Sequence, residues 1–406
     1  MMKKTLKLAA SAAAVALACA AAPAAAQVSD GVIKIGVMND MSGLYADVAG
    51  PGSVLAARMA VEDFGAARKG MKVEIVSADH QNKPDVGSTI ARTWYDVDKV
   101  DAIFDVPTSS VALAISQLTK EKGKAFINSG AATSDLTGKA CSPNTVHWTY
   151  DTWMLANGTG SAIVKNGGDS WFFLTADYAF GHALERDTEA VVLKNGGKVL
   201  GKVRTPFPGS DFSSFLLQAQ ASKAKIIGLA NAGGDTINSI KQASEFGIVK
   251  GGQKLAGMLV FISDIHGLGL NTAQGLIYTE TFYWDLNDQT RAWTKRFVAQ
   301  NNNKYPTMVQ AGVYSSVLHY LKAVEAAKTD DGTKVVAQMK AMPTDDPLFG
   351  KGSIRADGRK MHPAYLVEVK KPSESKGPYD YQKVLATIPA DQAFRPLNQG
   401  ECPLVK

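Results

Sequence analysis

Short apolar runs rich in β-branched and aromatic residues alternate with helical patterns along most of this chain. That alternation limits its fold more than any other feature. Ile33–Met38 reads as a strand and Val54–Phe64 as a helix, with Val54, Leu55, Met59, Val61 and Phe64 on its apolar side. Lys72–Ser77 reads as a strand and Pro84–Tyr95 as a helix with proline in its first turn. Val100–Val106, Ser110–Lys122 and Lys124–Asn128 continue the series as strand, helix and strand. A βαβαβαβ order predicts a parallel sheet covered by helices on both faces.

The pattern then starts again. Ser170–Thr175, Lys198–Arg204, Ile226–Ala230 and Leu255–Ile262 read as strands. Between them lie helical stretches at about Gly181–Lys194, closed by Asn195-Gly196-Gly197, at Phe212–Ala221 behind Ser210 or Asp211, and at Thr236–Phe246 behind Asp235. The remainder does not form a third unit. Leu276–Tyr283 is strand-like, Gln289–Asn301, Val309–Ala327 and Thr333–Met342 are helical, and Lys351–Arg355 with Ala364–Lys370 suggest a hairpin across Asp357-Gly358. These pieces are expected to complete the two sheets, with the chain crossing near Tyr150, near Gln274–Thr281 and near Lys360. The expected fold class is α/β, with two Rossmann-like lobes joined by a multi-strand hinge. Residues 27–150 with about 281–360 would form one lobe, and 151–280 with about 361–406 the other. The 406 residues exceed one comfortable core, which agrees with two lobes. A cleft between lobes is a usual place for a small ligand.

Ahead of the first strand stands an export leader. Lys3, Lys4 and Lys7 are followed by an apolar, Ala-rich run from Leu8 to Ala22 and by Ala24-Ala25-Ala26, so residues 1–26 read as a signal peptide cleaved before Gln27. Cys19 within the run, in Ala16-Leu17-Ala18-Cys19, loosely resembles a lipidation site and leaves that alternative open. The apolar run is too short to span a bilayer. Removing the leader takes away three lysines and no acid, so the formal charge falls from +6 to +3. No basic cluster or basic aromatic stripe accompanies it, which argues against a nucleic-acid partner. Of three cysteines, Cys141 and Cys402 remain. An even pair in an oxidising compartment suggests a disulfide from mid-chain to the C-terminus, with two buried free thiols as the other reading.

Recognisable catalytic and metal signatures are absent from the sequence. His80, His147, His182, His266, His319 and His362 form no HExxH or other close metal pair. There is no G-x-S-x-G elbow and no Walker A sequence. Gly50-Pro51-Gly52 follows a strand, but Leu55 stands where a third dinucleotide-loop glycine is needed. No metal or cofactor is expected, and the chain reads as a non-enzyme. A spatial catalytic constellation, which leaves no local trace, would revive an exported α/β enzyme.

Several segments together resemble a known family. Ile33–Gly43 (IKIGVMNDMSG), Pro107–Ser110 (PTSS), Ser129–Thr137 (SGAATSDLT), Asp177–Gly181 (DYAFG), Asp211–Leu216 (DFSSFL) and Gly275–Tyr278 are similar, in this order, to type I periplasmic substrate-binding proteins of the branched-chain amino acid (Leu/Ile/Val-binding) ABC transporter family. The resemblance implies two lobes that close by hinge motion on a small carboxylate, delivered to ABC permease subunits in the inner membrane. It also implies a periplasmic protein, expected to be monomeric. Ser109 and Ser110 match the loop that binds the ligand carboxylate, although simple helix capping would also explain them. Ala131 and Thr133 match the second carboxylate loop, with a turn-forming role as the plainer alternative. Tyr178 and Phe180 stand where the family places ligand-contacting aromatics, and Tyr45 and Tyr150 are expected to face the cleft; packing would also account for them. The family's amino acid binders use a second-lobe acid for the ligand ammonium. The matching stretch here, Gly257–Asp264 (GMLVFISD), is apolar where that acid is expected, leaving Asp264 or Asp235 as substitutes. The YADVAGPGS loop looks closer to the branch that resembles aromatic-carboxylate binders. The expectation therefore leans toward a carboxylate with an apolar or aromatic body over a branched-chain amino acid. A sensor for a membrane receptor would use the same cleft.

Overall fold

The computed structural model describes residues 28–405. The expected signal peptide, its expected cleavage point and Cys19 lie outside the described residues. In the first lobe β1 (Ile33–Asn39), β2 (Val73–Asp79), β3 (Ala102–Asp105), β4 (Ala125–Asn128) and β5 (Thr145–His147) form one parallel sheet in the order β2-β1-β3-β4-β5. Alternating side chains serve its two faces. Met38, Ile103 and Phe126 pack with Trp94 and Val111 of the helices Pro84–Asp96 and Ser109–Lys122. Val37, Phe104 and Ile127 pack on the other side, in the core shared with the helices Gly50–Phe64 and Met308–Ala327. Both faces are covered, so the strands read as continuous apolar runs.

The second lobe repeats the plan with four parallel strands: β6 (Ser170–Ala176), β7 (Lys198–Thr205), β8 (Ile226–Ala230) and β9 (Lys254–Gly257), in the order β7-β6-β8-β9. Trp171 and Phe173 face the side of the helix Ala179–Lys194. Phe172, Leu174, Ile227 and Leu229 pack with Leu216 and Ile240 of the helices Ser213–Ala221 and Gly234–Glu245.

The later strands form two antiparallel pieces. β10 (Ile277–Glu280), β14 (Ala364–Val369) and β15 (Gln382–Ile388) make one sheet; β11 (Thr344–Asp346), β12 (Gly350–Ile354) and β13 (Lys360–Met361) make the other. The hairpin across Asp357-Gly358 therefore pairs β12 with the short β13. Residues Ala364–Val369 turn away to join β10 instead. The strand expected over Leu255–Ile262 stops at Gly257, and a helix begins at Ile262. Asp264 explains that start, because its carboxylate accepts the Phe261 N–H at 3.0 Å and covers an otherwise open amide. Beyond β15 the chain returns to the first lobe. Arg395 donates to the Ser134 carbonyl at 3.1 Å, and Cys402 is bonded to Cys141 with a Cα–Cα separation of 5.6 Å.

Candidate functional site

A narrow space with room for about one water lies between the lobes, at the carboxyl ends of both parallel sheets. Open α/β sheets bind ligands at that edge. Each wall residue follows a strand end. In the first lobe Tyr45 and Val48 follow β1, Pro107 follows β3, Gly130 and Ala132 follow β4, and Tyr150 follows β5. In the second lobe Tyr178 and Phe180 follow β6, Ala232 follows β8, and Leu259 and Phe261 follow β9. The lining is apolar and aromatic with three phenol groups.

The loop after β1 is shaped by Asp40, a residue the sequence reading did not single out. One carboxylate oxygen accepts the Gly43 N–H at 2.6 Å, and the other accepts the Tyr45 N–H at 2.9 Å and the Asn82 amide at 2.7 Å. An aspartate bonding amides a few residues ahead is a local turn device. Here it directs Tyr45 across the cleft, where the Tyr45 and Tyr178 hydroxyls lie 2.6 Å apart. Phe207 stacks on Tyr178 with centroids 3.8 Å apart. The lobes also meet at Gly233, whose φ is +56°. A Cβ there would stand 2.8 Å from the Leu44 carbonyl and 3.0 Å from the Tyr45 ring, so only glycine permits this approach.

Of the other expected ligand residues, four sit immediately behind the wall. Ser109 opens the helix Ser109–Lys122, and its hydroxyl accepts the Thr133 N–H at 3.2 Å, so the two expected carboxylate loops touch. The Thr133 hydroxyl accepts the Asp135 N–H at 3.3 Å, which caps a short 3-10 turn. Ala131 gives its N–H to Asn128 at 2.9 Å, and its carbonyl takes bonds from the Asn128 amide and His147. Its neighbours Gly130 and Ala132 reach the cavity surface. Ser110 follows Ser109 in the first helical turn. That turn leaves free N–H groups at the positive end of the helix dipole.

The two candidate acids differ. Asp235 lies in the first turn of the helix Gly234–Glu245, and one of its oxygens accepts the Gly209 N–H at 3.1 Å. The other oxygen is buried without a hydrogen-bond partner, close enough for its charge to bear on Tyr45 and Tyr178. Burial pushes Asp235 up to about 7. Asp264 is turned to its helix start, and burial pushes it to about 7 as well. Leu259 and Phe261, from the same apolar stretch, supply the wall instead. Val48, Pro107, Ala232 and Phe207 were not foreseen. The proline of the PTSS motif was the one local signal for them. Tyr150 donates to the Gly130 carbonyl at 2.6 Å and so braces the loop it faces. Trp148 is core, its indole donating to Ser315 at 2.9 Å.

No nucleophile and base stand together in this lining, and among the described residues no group of His, Cys, Asp and Glu is arranged to hold a metal ion. What the arrangement offers is enclosure, aromatic contact and a few hydroxyls and amides: the means of binding. Comparison with known proteins agrees. The chain is similar to a periplasmic binding protein from Burkholderia mallei, at 55% identity, TM-score 0.91, 93% coverage of this chain and 100% of that one. It is similar at 42% identity and TM-score 0.82 to a branched chain amino acid ABC transporter periplasmic ligand-binding protein from Burkholderia xenovorans LB400, covering 92% of this chain and 100% of that one. A solute binding protein from R. palustris in complex with benzoate shares the fold, at 22% identity and TM-score 0.79, with 89% and 97% of the two chains covered. The model of the periplasmic binding protein family matches residues 32–378, and the chain belongs to that family.

Proposed function

We propose that this protein captures a small carboxylate with an apolar or aromatic body between its lobes and hands it to the permease subunits of an ABC importer. In this reading the leader is removed before Gln27 and the mature chain works in the periplasm as a monomer. Residues 27–150 with about 281–360 close against 151–280 with about 361–388, and the stretch beyond β15 stays with the first lobe. The observation that carries the reading is the cleft lining of Tyr45, Tyr150, Tyr178, Phe180 and Phe261 contributed by both lobes, with helix N-termini behind it. Aromatic walls supply large apolar contact with few rotamers to freeze, and first-turn amides favour an anion. The branched-chain amino acid transporter protein at 42% identity and the benzoate-bound relative of the same fold point to the same pair of ligand classes. Thermal-shift screening of benzoate, hydroxybenzoates and phenylpropanoid acids tests it, because a ligand that binds the folded state raises its melting temperature. Silence from every carboxylate would end the proposal.

One observation favours a second reading. The unpartnered oxygen of Asp235 beside Tyr45 and Tyr178 could receive a ligand ammonium, which would otherwise be costly to bury. Leucine, isoleucine and valine belong in the same screen. A response to them that is lost in Asp235→Asn, with benzoates inert, would select this reading.

A further inference from the structure

The first-lobe wall rests on a buried polar trio. Asn39 ends β1 and Asp105 ends β3, and between these two strands the sheet order reverses. Ser53, from the helix Gly50–Phe64, completes the group, and all three are fully buried. The Asn39 amide donates to one Asp105 oxygen at 3.1 Å. The other Asp105 oxygen, the Asn39 carbonyl oxygen and the Ser53 hydroxyl make no well-formed hydrogen bond, although Ser53 lies close enough to Asp105 to favour its charged form. Buried polar atoms are normally paired, so an ionised Asp105 draws little compensation from Asn39 and Ser53.

Asp105 also shapes the wall. Its φ is 79° and that of Val106 is 57°, left-handed values that a β-branched residue rarely adopts. The turn they make presents Pro107 to the cavity. The Asp105 carbonyl takes the Gly130 N–H at 3.4 Å, and a Cβ on Gly130 would stand 2.9 Å from the free carboxylate oxygen of Asp105. Pro107 and Gly130 are both wall residues, so that oxygen lies directly behind the surface a ligand touches.

The surroundings give an ionised Asp105 no counter-charge. Asn39 and Ser53 are uncharged, and Tyr150 is the titratable side chain that feels it from the cavity side. Asp40, next to Asn39, is directed outward onto the Gly43 and Tyr45 amides. No lysine, arginine or histidine lines the cavity. A ligand carboxylate would therefore meet a second negative charge in a low-dielectric site with nothing to separate the two.

We propose that Asp105 couples ligand capture to protonation: a carboxylate is held only above a neutral Asp105, and binding draws a proton from solvent onto it wherever it was ionised before. The inference rests on the carboxylate reading above. Burial already places Asp105 at about 7, so the coupling falls at and above neutral pH.

Calorimetric titration of the mature protein with benzoate and with leucine, between pH 6 and 8.5 in buffers of different ionisation enthalpy, tests it. Affinity is expected to be flat below about pH 7 and to fall up to about tenfold per pH unit above it, with about one proton taken up near pH 8. Asp105→Asn should bind with pH-independent affinity, about tenfold tighter than the parent at pH 8. Tight binding without proton uptake or pH dependence would overturn the inference and leave the carboxylate reading standing. Survival of the coupling in Asp105→Asn would overturn it too. Failure of both ligands to bind at any pH would remove the carboxylate reading and this inference together.

Discussion

The hydroxyls of Tyr45 and Tyr178, residues from opposite lobes, meet at 2.6 Å over the cavity. Burial raises both phenols well above their ordinary range, so the pair stays neutral and acts as a hydrogen bond. A buried neutral hydrogen bond contributes about 1 kcal/mol. Tyr45→Phe and Tyr178→Phe should each weaken ligand binding roughly fivefold, chiefly through faster release. The double variant should lose little more than either single one, because one bond is removed in all three. Stopped-flow release rates check this; additive losses would show that each hydroxyl serves a separate partner.

Gly233 is a backbone contact between the lobes. A Cβ at φ +56° would press on the Leu44 carbonyl and the Tyr45 ring. Gly233→Ala is expected to cut affinity more than tenfold and to cost about 1 kcal/mol of stability from the left-handed backbone. Solution scattering at saturating ligand should show a larger radius of gyration than the parent. An equally compact, tight-binding variant would refute the role.

Cys141 and Cys402 are 261 residues apart, and the segment that carries Cys402 crosses from β15 to the first lobe. Closing so long a loop restricts the unfolded chain, and losing such a link typically costs about 2–5 kcal/mol. Cys402→Ser should therefore melt several degrees lower than the parent. Reductant should lower the parent's melting temperature and leave the variant's unchanged.

Asp264 links stability to pH. Burial raises its carboxyl to about 7, above the roughly 3.9 of an unfolded aspartate. The stabilising term is therefore complete below about pH 4 and is lost as pH rises through 7. Asp264→Asn keeps an acceptor for the Phe261 N–H and removes the titration. Between pH 5 and 8 the parent should lose roughly 2 kcal/mol more stability than the variant. Chemical denaturation at the two pH values measures the difference, and parallel losses would count against it.

The sequence by itself determined the two α/β units, because hydrophobic period is a local property. Ile33–Asn39 and Ser170–Ala176 are buried on both faces and read as strands from their composition alone. It also placed Tyr45, Tyr178 and Phe180 just after strands, and strand ends in parallel sheets converge on one edge. The Asp40–Gly43 spacing was a turn signal available to be read. Only the tertiary structure decided which ends face each other. The partnership of Tyr45 and Tyr178 spans 133 residues and depends on two sheets docking with Gly233 between them. The three-residue β5 and the exposed β15 carry too little pattern to stand out, and β14 chose β10 over its sequence neighbour β12. The fates of Asp105, Asp235 and Asp264 were likewise invisible in the chain. A carboxylate's chemistry is set by what packs around it, and that packing is assembled from elements far apart in sequence.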